Sequence, residues 1–258
     1  MRRVAVKIAY LGDEFVGSQI QPGHRTVEGD VLSDIMKISG LGADDIGLRC
    51  ASRTDRGVNA LGNVVVFNTT FEDNVVLLKA LNAVSGGVFY RSAASVNDDL
   101  NPRHATERIY RYILPATGMD VNAAKECASL FEGEHDLIRF CRPDGKPTVI
   151  NMRSVKIEKD DEFLIIEFRS EYFLWNLIRR IVSAISSVGS GNSSIDDVKR
   201  ALNGEPITFG IARADALTLV DVVYDHVEFV TPPTDMFRSR TDEESLRQRI
   251  RRTLFDSL

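Results

Sequence analysis

The sequence predicts an α+β fold built on a largely antiparallel sheet, and three observations carry that expectation. Each half of the chain orders its segments in a β-α-β-β-α-β-like way, without the strict βαβ alternation of a parallel sheet. Two β-rich runs, Val149–Glu158 and Phe163–Arg169, are joined only by the polar Lys159-Asp160-Asp161, a hairpin pattern. Finally, 258 residues, 43% hydrophobic and 27% charged, suit one large globular domain or two smaller ones around a shared sheet.

The elements follow in order. Val4, Val6, Ile8 and Tyr10 alternate around Lys7 and predict a first strand over Val4–Tyr10. Gly12, Gly17, Pro22 and Gly23 mark a long loop. Thr26 caps a helix running to about Ile38, because Val27, Val31 and Ile35 recur at four-residue spacing. A strand near Ile46–Ala51 enters the next loop and another near Asn63–Asn68 leaves it; a helix over Asn74–Val84 and a strand over Val88–Val96 complete the first half. The second half reads as a strand at Glu107–Leu114, a helix at Val121–Phe131, the hairpin, helices at Leu174–Val188 and Ile195–Leu202, and a last strand at Leu217–Tyr224. Gly189-Ser-Gly191 ends a helix and shows no Walker pattern, so it is not a phosphate cradle.

These readings divide the chain into an N-terminal half (1–104), a C-terminal half (105–230) and a tail (231–258). In the tail, Thr241-Asp-Glu-Glu244 has the pattern of a capping box. Leu246, Ile250 and Leu254 then share one helix face, surrounded by Arg247, Arg249, Arg251 and Arg252. Such a helix either docks on its own subunit or serves as an RNA-contacting or dimer-bracing arm.

Composition excludes several classes. No run approaches the roughly 18 apolar residues of a membrane span, and the charged N-terminus has no signal-peptide core, so a cytoplasmic location is expected. Three cysteines without a Cys-x-x-Cys pair argue against a disulfide framework or structural zinc, and four scattered histidines show no metal-ligand spacing. The net charge of −5 is neutral on nucleic-acid binding, which depends on where arginines cluster.

The chemistry concentrates in residues 49–68. Asp55 lies among Arg49, Arg53 and Arg56, just before Gly57 and the apolar run Val64-Val-Val-Phe67. A carboxylate among cations is held in its charged form, which suits a nucleophile or an anion-reading loop better than a core. Ser-Arg-Thr-Asp-Arg-Gly-Val-Asn-Ala (52–60) closely resembles the Gly-Arg-Thr-Asp-x-Gly-Val-His-Ala signature of the TruA-type tRNA pseudouridine synthases. Two more stretches extend the likeness. Arg-Ile-Tyr-Arg-Tyr (108–112) resembles the family's Arg-x-Tyr-Arg-Tyr, and Phe-Leu-Trp-Asn-Leu-Ile-Arg-Arg-Ile-Val (173–182) resembles its Phe-(Leu/Val)-x-x-Met-(Val/Ile)-Arg-x-(Ile/Leu)-Val. Gln19-x-Gln-Pro22, Thr26-Val-Glu-Gly29 and Gly133-x-His-Asp136 add support without identifying a role.

The resemblance runs from about residue 3 to Tyr224 and implies the following. Two related halves form one continuous, mostly antiparallel sheet with helices on one face and a central cleft. A homodimer binds tRNA across both subunits and isomerises uridines 38–40 of the anticodon arm, with no metal or organic cofactor. Asp55 is the nucleophile, Tyr110 stacks on the flipped uracil and is proposed as the base that takes the C5 proton, and Arg179 pairs with Asp55. Arg53 displaces the base or reaches the RNA. Arg49, Arg56, Arg103 and Arg111 are candidate RNA contacts, Arg103 alternatively bracing its loop.

Without the resemblance, Tyr110 and Tyr112 would read as sheet-core tyrosines, with Arg111 on the opposite face. Arg179 would read as a solvated helix charge able to make a bidentate carboxylate contact, with Arg180 exposed one step round the helix. Some family residues are replaced: Ser52 stands for a glycine, Asn59 for a histidine, Asn63 for a glutamine, Ser18 for a tryptophan, and Arg213-Ala-Asp-Ala216 for a Pro/Gly-rich segment. The alternatives are a non-catalytic RNA-binding protein on the same fold, and a hydrolase using Asp55, for which no second acid occupies a comparable motif.

Overall fold

A computed structural model describes residues 1–143, 145–232 and 238–255, with some side chains of the last segment outside the description. Within these residues the protein is a mixed α+β fold around one nine-stranded sheet. The strands are β1 (Arg2–Tyr10), β2 (Arg49–Cys50), β3 (Asn59–Thr69), β4 (Phe89–Val96), β5 (Glu107–Pro115), β6 (Gly133–Asp136), β7 (Val149–Asp160), β8 (Phe163–Ser170) and β9 (Leu217–Val223). The helices are α1 (Val27–Ser39), α2 (Ala43–Ile46), α3 (Asn74–Val84), α4 (Val121–Ser129), α5 (Leu177–Gly189), α6 (Ile195–Leu202) and α7 (Arg238–Phe255).

The sheet runs β4-β1-β3-β9-β5-β8-β7-β6, with β2 attached to β3. Every pairing is antiparallel except β3 with β9, a parallel seam of only Asn59↔Thr218 and Ala60↔Leu219. Farther along the strand, β3 pairs instead with β2, Arg49 opposite Val66 and Cys50 opposite Val65. The sheet therefore forks at the seam, and the Asp55 loop lies at the crotch of the fork.

The strand beside the loop is buried on both faces. Val64, Val65, Val66 and Phe67 of β3 are all fully buried, so both faces of this strand are covered, the pattern of a near-continuous apolar run. On β1, Ala5 and Ala9 are buried together with the alternating Val4, Val6, Ile8 and Tyr10. Small side chains on the second face of β1 let other segments close over it. At one end of the sheet α1 lies against α3, which packs on β4; at the other, α4 lies against α5 and β7.

Local signals account for most boundaries. Thr26 Oγ1 accepts from the Gly29 N–H and caps α1, and Asp73 caps α3 through the Val75 and Val76 N–H groups. Three expectations need correction. The strand predicted near Ile46–Ala51 is confined to Arg49–Cys50 and is preceded by a single helical turn, Ala43–Ile46, because Gly47 takes a left-handed turn (φ 56°) that ends the helix and re-aims the chain. Helix α5 begins at Leu177, not Leu174, because Asn176 also sits in the left-handed region (φ 64°). Helix α7 begins at Arg238, so Thr241 lies in its first turn and is not its cap. Leu246 and Ile250 of α7 are exposed and so are not buried against this chain. Among the described residues no helix is long and apolar enough to cross a membrane, and no cluster of His, Cys, Asp and Glu has metal-binding geometry.

Candidate active site

Asp55 is positioned by a turn whose backbone is bonded on all sides. Gly57 has φ 85°, which a residue with a side chain adopts only under strain, and its N–H donates to the Gly12 carbonyl at 3.1 Å. Gly12 approaches so closely that an added Cβ would lie 2.4 Å from Val58 O. Val58 N–H closes the turn onto Asp55 O at 3.1 Å, and Gly17 forms a β-bridge with Asp55.

The residues that depart from the family pattern hold this turn. Ser18 N–H donates to Thr54 O at 3.0 Å, while Ser18 Oγ accepts from Thr54 N–H at 2.8 Å. Asn59 accepts from Gly12 N–H at 2.9 Å and donates to Asp215 O at 2.8 Å, tying the turn to the segment before β9. Asn63 is fully buried and donates to Ser52 O at 2.9 Å and to Tyr10 Oη at 3.2 Å. Arg213 and Asp215 form an ion pair beside the same seam.

Arg108 spans the fork. It is 7% exposed and donates to Ser52 Oγ at 2.9 Å, Ala51 O at 3.2 Å, Arg103 O at 2.9 Å and the Glu171 carbonyl. A buried guanidinium normally pairs with a carboxylate; here carbonyls and a hydroxyl take that place. The sequence pattern contained the signal for it, since Arg108, Tyr110 and Tyr112 alternate onto one face of β5.

The carboxylate itself is held from the other side of the fork. Arg179 Nη1 lies 3.8 Å from Asp55 Oδ2, and the Trp175 indole N–H donates to the same oxygen at 3.2 Å. Both contacts fall on Oδ2, and Oδ1 accepts no hydrogen bond among the described residues. Arg179 is fixed by Ala212 O at 2.8 Å and Asn176 Oδ1 at 3.3 Å. The contact is thus a single long ion pair and not a bidentate clamp, because those two acceptors already engage the guanidinium. Asp55 keeps 41% of its side chain exposed while Arg179 keeps 18%, so the carboxylate faces outward from a half-buried support.

Tyr110 is 7% exposed and meets Phe173 edge-on, with ring centroids 5.1 Å apart. Burial pushes its phenol up to about 12, Arg108 pulling it down and Asp55 adding to the rise. Tyr112 is buried in the core beneath it.

The remaining predicted residues separate into two groups. Arg49, Arg53, Arg56 and Arg103 are exposed, and Arg49 donates to Asn101 Oδ1 at 3.2 Å. None of the three loop arginines pairs with Asp55; among the described residues that part falls to Arg179 alone. Arg53 and Arg103 both act on Glu28, whose carboxyl is raised by desolvation and lowered by these charges. They form a basic rim near the loop. Arg111 stands apart, on the sheet face opposite Tyr110, ion-paired with Glu167 at 3.4 Å. Arg180 is half-buried and its Nε has no partner among the described residues, so it is not the exposed charge expected from its place on the helix.

A half-exposed carboxylate on a hydrogen-bonded turn, with one cation and one neutral donor on one oxygen, thus lies in the same region as the buried Tyr110, its ring partner Phe173 and several exposed arginines. Comparison with known proteins identifies the class. A family model described as tRNA pseudouridine synthase matches residues 127–225, which include Arg179. The tRNA pseudouridine synthase A of Pyrococcus abyssi (strain GE5 / Orsay) is 40% identical over 96% of this chain and 95% of its own length. Those of Pyrococcus horikoshii and Archaeoglobus fulgidus are 38% and 36% identical over 97% and 89% of this chain and 96% and 86% of theirs. Among solved structures, the archaeal box H/ACA sRNP Nop10-Cbf5 complex overlaps in part, with a TM-score of 0.37 at 12% identity over 71% of this chain and 43% of that one. The chain belongs to the tRNA pseudouridine synthase family. It is an enzyme, an isomerase that acts on tRNA.

Proposed function

We propose that the chain converts uridine to pseudouridine in the anticodon stem-loop of tRNA, at positions 38–40, with Asp55 as nucleophile. The observation that carries this reading is the asymmetry of the carboxylate: Oδ2 is engaged by Arg179 and Trp175 while Oδ1 is left open. A carboxylate held at one oxygen presents the other in a fixed direction, the preorganisation a nucleophile needs.

The reaction breaks the N1–C1′ bond and forms a C5–C1′ bond. A proton leaves C5 and N1 ends the reaction carrying one, so atoms balance without an oxidant, a reductant or a phosphate donor. Asp55 holds one fragment or its charge while the uracil turns. Tyr110, against Phe173, is the wall on which the extruded base stacks, a contact that offsets the few kcal/mol of unstacking. As the C5 base, Tyr110 has to give up its own proton against the shift burial imposes, so its stacking role is the better supported of the two. Arg53, Arg49, Arg56 and Arg103 meet the phosphates, with Arg53 two residues before the nucleophile and Arg56 directly after it. Arg111, on the other sheet face, would contact only RNA that wraps round the edge of the sheet.

The reading includes two related halves, 1–104 and 105–230, each contributing to the cleft. Strand order supports it: β4-β1-β3-β2 and β9-β5-β8-β7 both run last, first, third, second when β6 is set aside as an edge addition. The homodimer binding tRNA across both subunits, the cytoplasmic location and the arm-like tail from 231 belong to the same proposal; sedimentation of the free protein tests the first.

The central experiment is release of tritium from unmodified tRNA carrying C5-tritiated uridine, followed by mapping of pseudouridine along the anticodon arm. Release by the wild type and none by Asp55→Asn is the expected result. Release by a purified Asp55→Asn protein removes Asp55 from its role, and pseudouridine outside 38–40 removes the site assignment.

A further inference from the structure

Trp175 is the one tryptophan of the chain, and it is 44% exposed beside a carboxylate. Large aromatic side chains are usually well buried, so its place calls for a reason. Its indole N–H donates to Asp55 Oδ2 at 3.2 Å, a closer contact than the 3.8 Å of Arg179. The Arg142 guanidinium lies over its ring, 4.3 Å from the centroid, and the Arg142 N–H donates to the Trp175 carbonyl at 2.9 Å. Backbone and side chain thus lock the two residues together. The left-handed turn at Asn176 completes the arrangement, because it lets Trp175 before the helix and Arg179 inside it converge on one oxygen.

We propose that Trp175 is a positioning residue for the isomerisation, its N–H orienting Asp55 and its free ring face, backed by Arg142, stacking a nucleobase of the substrate next to the target uridine. This rests on the reading of Asp55 as nucleophile. A neutral donor fixes the carboxylate's rotamer without neutralising its charge, so Oδ1 stays reactive. The N–H edge meets Asp55, one face lies under a guanidinium, and the residue is 44% exposed, so the ring keeps area available beside the carboxylate. Base–aromatic stacking tolerates any base, and the guanidinium strengthens the platform by cation–π attraction.

The test uses full-length protein and an unmodified tRNA transcript, with single-turnover tritium release and filter binding. Trp175→Phe keeps a ring but loses the N–H; its rate should fall about tenfold, the worth of one hydrogen bond to a charged group, with affinity nearly unchanged. Trp175→Ala should also weaken tRNA binding about tenfold. Because the chain has a single tryptophan, its emission reports on this ring alone, and tRNA added to the Asp55→Asn protein should quench it. A structural role would predict neither the split between rate and affinity nor the quenching. Wild-type rate and affinity in both Trp175 variants, or emission unchanged by bound tRNA, overturns the proposal and leaves Asp55 in place. An active Asp55→Asn protein overturns both.

Discussion

Asp55 is gripped on two sides, and the two grips differ. On one side Ser18, Asn59, Asn63 and Arg108 fix its backbone turn through hydrogen bonds that are mostly buried. On the other, Arg179 and Trp175 fix its carboxylate, and the surface there is half open. A polar group removed from the buried side strands partners in a dry environment, which costs stability. A change on the open side leaves groups that water can solvate, so its cost appears in the rate. On the proposed reading of Asp55, the backbone grip is therefore expected to act on folding and the carboxylate grip on the rate.

The sharpest way to break that distinction is Asp55→Asn. It should abolish turnover while leaving the urea midpoint and tRNA affinity close to wild type, the affinity within about tenfold; a large loss of stability would mean the carboxylate also serves the fold. Next, Tyr110→Phe keeps the stacking ring and loses the hydroxyl. If the phenol moves the proton, turnover should fall about 10²–10⁴-fold at constant affinity. A fall of only a few-fold in a tritium-release assay would reduce Tyr110 to a stacking wall.

Arg108→Leu tests the opposite grip. It strands Ser52 Oγ and three carbonyls, and should lower unfolding free energy by about 3 kcal/mol or more in urea titration. An unchanged midpoint would show that water replaces the guanidinium. Ser18→Ala, which loses one acceptor for the Thr54 N–H, should cost about 1 kcal/mol by the same measurement.

Alkaline pH gives the smallest and broadest effect. Burial raises the phenol of Tyr110 to about 12 and those of Tyr10 and Tyr224 as well. A folded value above the unfolded value of roughly 10 means the stabilisation is complete below that pH and is lost as pH rises toward the folded value. Thermal melts should therefore fall above about pH 10, and less steeply in Tyr110→Phe.

Much of this comparison was legible in the sequence, but unevenly. Helices α3 and α6 lie at Asn74–Val84 and Ile195–Leu202 as read, because their caps and apolar spacing are local. Asp55, Tyr110 and Arg179 stand out through motifs, and in the fold Arg179 lies 3.8 Å from Asp55. The missed features are those in which one residue reverses the backbone: Gly47 ends an unpredicted helical turn and leaves only Arg49–Cys50 of the predicted strand, and Asn176 delays α5 and sets Trp175 just before it. The partner of Asp55 was legible from the family motif, but no arginine near it in sequence serves. Such pairings depend on the fork between β3 and β9, which no local pattern encodes. Ser18, Asn59 and Asn63 were visible only as departures from a pattern, and their hydrogen bonds to the turn needed the folded chain.

The parallel seam of Asn59 with Thr218 and Ala60 with Leu219 carries a further consequence, for the order of assembly. Its two strands are separated by most of the chain, and closing so long a loop is slow. Asn59, which steadies the Asp55 turn, finds its Asp215 acceptor only when β9 arrives. A chain emerging from the ribosome would carry a complete Asp55 motif long before it carries a working site. If Asp55 acts as proposed, catalytic competence is a late event of synthesis, withheld until the last strand of the sheet has docked.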